Sequence, residues 1–320
     1  MNKSENNIWD ESLEKLDGHL FQSSLWEEFQ KAQGRKTHAD NGNGWSWMGA
    51  IRKTAGNISY LYIAYGPTMA DKSKLKDSMI SIGQAAEKLK VDFVRMDFPL
   101  DIDEKTLTGY GLKHVSDMQA TYHMVLDLKP NEEQLWSNVA SRTRTYVNTA
   151  PKRNLTFEIS ENPKDLGDFL KIQAMTAKRQ GINMYPESYY KALIDTLMPT
   201  GKCKLYFART PEDTIAGALC VDWGGTRYYL FAATNDELNR KAHGAQALMW
   251  WLIDDAKKNG LEAFDYGGVV PLDWEHHPWI GHTRFKKNYG GEIIKGGGTW
   301  DMPISSIKYR LYSFIKKVKK

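Results

Sequence analysis

Cysteine is nearly missing from this chain: Cys203 and Cys220 are the only two in 320 residues, each in or beside an apolar, strand-like run. A disulfide framework is thereby excluded, and two reduced core thiols of a cytosolic protein are expected. Long apolar runs are missing as well. No window approaches the roughly 18 continuous apolar residues of a membrane span. The opening MNKSENNIWDESLEKLDGHL lacks the apolar centre of a signal peptide, so an intracellular protein is expected. There is no G-x-S-x-G, Walker A, G-x-G-x-x-G, H-E-x-x-H or C-x-x-C pattern, and serine-hydrolase, P-loop, Rossmann and zinc chemistry lose their usual motifs. Asp273, Glu275, His276, His277 and His282 crowd one loop, but their spacing matches no standard metal set, so no metal is expected. Excess charge is small too. A formal net charge of +4 does not by itself argue for nucleic acid.

What is present suits packed cores: 41% of residues are apolar and 12% aromatic. At roughly 150 residues per domain the length suggests two domains. The charge is uneven. Arg142, Arg144, Lys152 and Arg153 crowd one segment, Arg284, Lys286 and Lys287 another, and the chain ends in Lys316, Lys317, Lys319 and Lys320. Such local clusters favour phosphate-bearing partners even when the total is modest.

In order, the segments repeat. Ser23-Ser24 opens a short amphipathic helix carrying Lys31; WSWMGAIRK and ISYLYIAYGP follow as strands, then a helix from about Asp71 to Lys90 and the strand VDFVRMDFP. A short helix and the strand TYHMVLDL complete this half. Asn131 to Arg153 then reads as helical and basic, LTFEIS as a strand, Pro163 to Gln180 as a helix, and Pro186 opens another. KLYFAR, TIAGALCVDWGG and TRYYLFAATN form a meander before a long helix from His243 to Lys258. Two similar α/β lobes are expected, residues 1–140 and 141–302, with 303–320 a separate basic amphipathic helix. For that helix two readings stand open: it packs on its own lobe with its lysines in water, or it meets an anionic membrane surface.

The chemistry is expected between Leu261 and Trp300. There a short strand ends in Gly267 and Gly268, a long loop follows, and Phe285 and Lys286 stand just ahead of Gly290 and Gly291. Glycines allow backbone or ligand to come close. A second feature is KAHGAQ, where Gly244 and Ala245 open a helix whose free N–H groups suit a pyrophosphate; Lys241 and Gly244 fit the acyl-CoA-binding pattern of N-acetyltransferases, whereas Gln246 does not.

Taken in order, FQSSLWEEFQK, YIAYGP, VRMDFP, MVLDL with SRTRTYVNTAPKR, TAKRQGINMYPESYY, AGALCVDWGGTRYYLFAATN, and FDYGG with RFKKNYGGEIIKGGGTWDMP resemble the FemABX family, non-ribosomal peptidyl transferases that extend peptidoglycan cross-bridges. The resemblance covers most of the chain. It implies an α/β (α+β) fold of two acetyltransferase-like (GNAT-type) lobes packed side by side. It also implies no coiled-coil insertion, because TRYYLFAATN runs almost directly into the His243 helix.

As activity, the resemblance implies transfer of an amino acid from aminoacyl-tRNA to the side-chain amine of the third stem-peptide residue, or to an amine of a growing branch. The acceptor would be a peptidoglycan precursor, a lipid-linked or nucleotide-linked muramyl peptide, met at the cytoplasmic face of the membrane. No cofactor is implied. The ester donor is already activated, so no enzyme nucleophile is required. An amine with a pKa near 10.4 must lose a proton before attack, and the tetrahedral oxyanion needs a donor or a cation.

Lys286, in the family's Phe-Lys position, is the implied cation, with Phe285 beside it as a shaping or stacking surface. Lys31 matches a lysine that holds precursor phosphate, and Tyr189 an acceptor-binding tyrosine. Tyr185 stands where the family has an arginine, and Phe231 where it has an aromatic hydroxyl, leaving Tyr229 nearby. Asp97 either accepts the amine proton or caps the turn before Pro99. Arg142 and Arg144 either meet tRNA or pyrophosphate or form a solvated helix face. Two other classes stay open: an acyl-CoA-dependent N-acyltransferase using Lys241 to Ala245, and a non-catalytic protein that binds precursors or tRNA.

Overall fold

Apolar residues at every position of ISYLYI except Ser59, and at most of FVRMDF, require strands covered on both faces, and the first sheet is built around them. The computed structural model describes residues 3–54 and 57–318. Its strands in chain order are β1 (Thr37–Gly42), β2 (Trp45–Thr54), β3 (Ile58–Ile63), β4 (Thr68–Met69), β5 (Phe93–Phe98), β6 (Lys113–His114), β7 (Tyr122–Asp127), β8 (Thr156–Ser160), β9 (Cys203–Arg209), β10 (Thr214–Trp223), β11 (Thr226–Thr234), β12 (Ala263–Val269), β13 (Glu292–Lys295) and β14 (Gly298–Pro303). Two units separate: Met1–Thr121 with Lys295–Lys320, and Tyr122–Ile294.

In the first unit the strand order is β1-β2-β3-β5-β14-β6, with β4 on β2. β1, β2 and β3 are antiparallel; the chain then passes through the helix Leu75–Leu89 and returns as β5, parallel to β3. Leu75, Met79, Ile82 and Ala86, one helical turn apart, lie against Leu61, Ile63, Val94 and Met96 on one face of the sheet. The alternate residues Ile58, Tyr60, Tyr62 and Phe93 face the other way, toward Tyr309 of the C-terminal helix Ser306–Val318.

The second unit repeats the plan in the order β13-β7-β12-β11-β10-β9-β8. An antiparallel run from β8 to β11 leads, through the helices Asp236–Ala242 and Gly244–Lys258, to β12, which is parallel to β11. Leu248, Met249, Leu252, Ile253 and Ala256 of the longer helix pack on Met124, Leu126, Ala216, Ala218 and Phe264. Arg227, 1% exposed, is held by Asp222 at 2.8 Å and by Asp255 at 2.6 Å, so its buried charge ties β11 to this helix. Cys203 and Cys220 are buried free thiols, both pushed upward in pKa by burial. The two-lobe repeat expected from segment order is present, and no coiled-coil arm separates β11 from the helices that follow it.

The units divide at 121/122 and 294/295, whereas the sequence suggested 140 and 302. TYHMVLDL, expected in the first lobe, is β7 and pairs antiparallel with β12 of the second unit. Gly298–Pro303, expected in the second, is β14 and pairs with β5 of the first. Each parallel strand thus gains an antiparallel neighbour from beyond its own half of the sequence, and such pairing leaves no local trace. The expected helix from Asn131 to Arg153 is broken as well. It consists of Glu132–Asn138, Ser141–Asn148 and a 3-10 turn Pro151–Arg153, with extended backbone at Val139 and Ala140. Lys319 and Lys320 of the basic tail lie outside the described residues.

Candidate active site

FDYGG carries the local irregularity that builds the site in the second unit. Along β12 the register with β7 skips between Asp265 and Gly267, a β-bulge made possible by Gly267 at φ 76°. The Gly267 N–H turns back to Asp265 Oδ1 at 2.6 Å, and the carbonyl of Gly268 accepts the Lys286 ammonium at 2.7 Å. Lys286 and Phe285 were expected after a long loop. They stand instead on a short helix, Ile280–Lys287, fastened to the end of β12 where the Val270 N–H donates to the Thr283 hydroxyl at 3.0 Å.

Burial depresses the Lys286 pKa to about 8, with the carboxylate of Asp265 pulling the other way. Near neutral pH the ammonium is still mostly protonated, but it is poorly hydrated. A weakly hydrated cation holds a developing negative oxygen more strongly than an exposed one does. His282, one helical turn earlier, is pushed below the usual histidine range by burial and then by Lys286 and Arg179, so it is neutral at pH 7. Tyr229, Tyr266 and Tyr289 lie near one another beside this region, all raised in pKa chiefly by burial. Tyr289 donates to the Gln246 carbonyl at 2.7 Å, whereas the buried hydroxyl of Tyr266 has no hydrogen-bond partner among the described residues.

A second bulge decides where the other aromatic candidates point. Leu219 and Cys220, consecutive on β10, pair with Phe231 and Tyr229, so Leu230 is the extra residue and Tyr229 and Phe231 face opposite sides of the sheet. Tyr229 joins the core beside Phe264. Phe231 instead meets Tyr185 and Tyr189 edge-on, and those two rings stack at 4.1 Å. The structure therefore brings Tyr185, Tyr189 and Phe231 together and leaves Tyr229 out of that group.

The arginines also divide. Arg144 donates to the carbonyls of Ser137 at 2.9 Å and Trp136 at 3.4 Å, closing the end of the helix before it. Arg142 donates to the Tyr146 hydroxyl at 2.5 Å; the Tyr146 ring stacks on His243 at 3.8 Å, with the Arg153 guanidinium 5.8 Å from the Tyr146 ring centre. His243 is lowered in pKa by burial, then by Arg153 and Arg142. At the adjoining helix start, the Ala245 N–H is already taken by Asn239 Oδ1 at 2.8 Å, which removes one donor from the suggested pyrophosphate site.

Asp97 and Lys31 belong to the first unit. Asp97, on β5, is 3% exposed and accepts from the Thr299 and Tyr62 hydroxyls, each at 2.5 Å. Burial raises its pKa against these bonds and one from the Gln119 backbone. The turn before Pro99 receives no cap from its side chain. Lys31 is paired with Glu27 at 3.1 Å and Glu28 at 2.9 Å. Burial lowers its pKa, but the two carboxylates outweigh that effect and raise it. Among the described residues no cluster of three or more His, Cys, Asp and Glu is arranged to hold a metal ion, and no helix is long and apolar enough to cross a membrane.

Sequence reasoning missed Asp265, Tyr266 and Tyr289. The first two are the centre of FDYGG, and a polar pair inside a buried strand was the available signal.

Comparison with known proteins agrees with this architecture. A family described as an acetyltransferase (GNAT) domain matches residues 137–287. Lipid II:glycine glycyltransferase of Staphylococcus haemolyticus (strain JCSC1435) is 19% identical over 94% of this chain and 91% of its own length. Aminoacyltransferase FemA of Staphylococcus aureus (strain MW2) is 32% identical over 89 residues, 28% of this chain and 21% of FemA. The crystal structure of FemX superposes with a TM-score of 0.82 at 18% identity, covering 96% of this chain and 98% of FemX. An acetyltransferase (GNAT) domain, two lobes of the same plan and a relative matched almost end to end support membership of the FemABX family of aminoacyltransferases.

Proposed function

We propose that this enzyme transfers an amino acid from an aminoacyl-tRNA to the stem-peptide amine of a peptidoglycan precursor, on the cytoplasmic side of the membrane. The observation that carries the reading is the desolvated Lys286 ammonium fixed on the Gly268 carbonyl, a cation suited to an oxyanion. The named activity of the glycyltransferase relative supports the acceptor class. In this reading Phe285 shapes the site, and Tyr185 and Tyr189 offer an aromatic wall to the acceptor. Arg142 and Arg153, with no carboxylate partner among the described residues, meet RNA phosphate; Lys31 meets precursor phosphate by exchanging its glutamate partners.

The test is a transfer assay with purified protein, a pool of labelled aminoacyl-tRNAs, and either a nucleotide-linked or a lipid-linked precursor. Label appearing in a precursor identifies both substrates. No transfer to either acceptor, with saturable CoA binding by calorimetry, overturns the reading in favour of an acyl-CoA-dependent N-acyltransferase.

A further inference from the structure

The C-terminal helix Ser306–Val318 has two apolar sides, and the fold uses only one. Tyr309, 5% exposed, donates to Asp301 Oδ2 at 2.9 Å, and Arg95 donates to the Tyr312 hydroxyl at 3.1 Å. Both rings lie against Phe93. Arg95 is itself forked onto Asp301 by two bonds of 2.7 Å, so the tyrosine side of the helix is fastened to a buried ion pair. With that side fixed, a rotation of about 100° per residue gathers Ile307, Leu311 and Phe314 into one stripe on the opposite side. They are 82%, 47% and 65% exposed.

Charge borders this stripe. Arg310 is exposed on one flank, and on the other Lys308 is half in water while paired with Asp92 at 2.9 Å. Beyond them the sequence runs on through Lys316, Lys317, Lys319 and Lys320.

We propose that this outer face docks on the surface of an anionic lipid bilayer. The helix lies in the plane of the interface, with Ile307, Leu311 and Phe314 among the acyl chains and the basic residues at headgroup level. The cationic border selects this occupant. A second copy of the chain would bring two like-charged borders together around the stripe, and a neutral bilayer would leave them without counter-charge. The inference concerns where the protein sits and holds whichever acyl group and acceptor it uses.

The test is co-sedimentation of the full-length protein with phosphatidylglycerol/phosphatidylcholine vesicles and with pure phosphatidylcholine vesicles, at low and physiological salt. The wild type is expected to prefer the anionic vesicles, less so as salt rises. Ile307→Asp with Phe314→Asp is expected to lower binding at least tenfold, and Arg310→Glu several-fold, with the circular-dichroism melt unchanged because Tyr309 and Tyr312 stay seated. Equal binding to both vesicle types would overturn the proposal, as would a double variant that binds like wild type. A dimer in analytical ultracentrifugation that the double variant breaks, without vesicle binding, would assign the stripe to a second copy instead.

Discussion

Replacing Lys286 by arginine separates the charge of this side chain from its titration. In the wild type the ammonium has a pKa of about 8. Between pH 7 and 9 its protonated fraction therefore falls roughly tenfold. If the cation stabilises the oxyanion, single-turnover transfer rises with pH as the acceptor amine deprotonates, then levels off above pH 8, where loss of the Lys286 charge cancels the further gain in free amine. Arginine stays charged over this range, so in Lys286→Arg the rise continues past pH 8. Lys286→Ala lowers the rate at every pH, by about 100- to 1,000-fold. The assay is rapid-quench transfer from pre-charged tRNA, with surviving ester measured in parallel because esters hydrolyse faster in base. A plateau above pH 8 unchanged in the arginine variant, or an alanine variant within about threefold of wild type at pH 7, refutes the assignment.

The same residue makes a stability prediction of definite sign. The unfolded chain keeps this proton to about pH 10.4 but the folded chain only to about 8, so between those values the unfolded state binds more protons and stability rises with pH. The gain is about 3 kcal/mol across the window. Subtracting the urea-denaturation profile of Lys286→Met from that of the wild type isolates it, and a flat difference would sink the buried-ammonium account.

Tyr266→Phe removes a hydroxyl with no partner among the described residues and should leave stability unchanged or raise it, whereas Tyr289→Phe breaks the bond to Gln246 and should cost about 1 kcal/mol in urea titrations. Asp97→Asn should move the melting temperature by only a few degrees, because burial raises its pKa and so already weighs against the charged form; a drop of more than about ten degrees would refute that. Arg227→Met strands the carboxylates of Asp222 on β10 and Asp255 on the helix Gly244–Lys258 and should cost about 3–5 kcal/mol, seen as a lower urea midpoint. Gly291→Ala meets φ 94° and a Cβ only 3.0 Å from the Val125 carbonyl, so a loss of about 1–3 kcal/mol is expected, and a stability equal to wild type would contradict that geometry.

The helix Leu75–Leu89 and the meander β9 to β11 were legible because their apolar periodicity is local. The ends of the units were not, since β7 and β14 are assigned by pairing with strands far along the chain. Lys286 was singled out through its Phe-Lys pair, but its helix was not foreseen: GHTRFKK has a glycine, several polar residues and one large apolar side chain, too little to declare a turn of helix. The extra residue at Leu230 shows how fragile a pattern argument is in a strand, for one bulge sends Tyr229 and Phe231 to opposite faces. For the last helix two readings stood open and neither named the side that packs; Tyr309 and Tyr312 take that place through an Arg95–Asp301 pair separated by 206 positions.

The position of β14 has a consequence for how the chain is made. It is an interior strand of the first sheet, between β5 and β6, although it leaves the ribosome after the whole second unit. The second unit is continuous and can close while synthesis is still under way; the first must wait with β5 and β6 unjoined. The half that is translated first is therefore the half that finishes folding last, and for most of its birth the nascent protein carries an open β5 edge for the cell to shield.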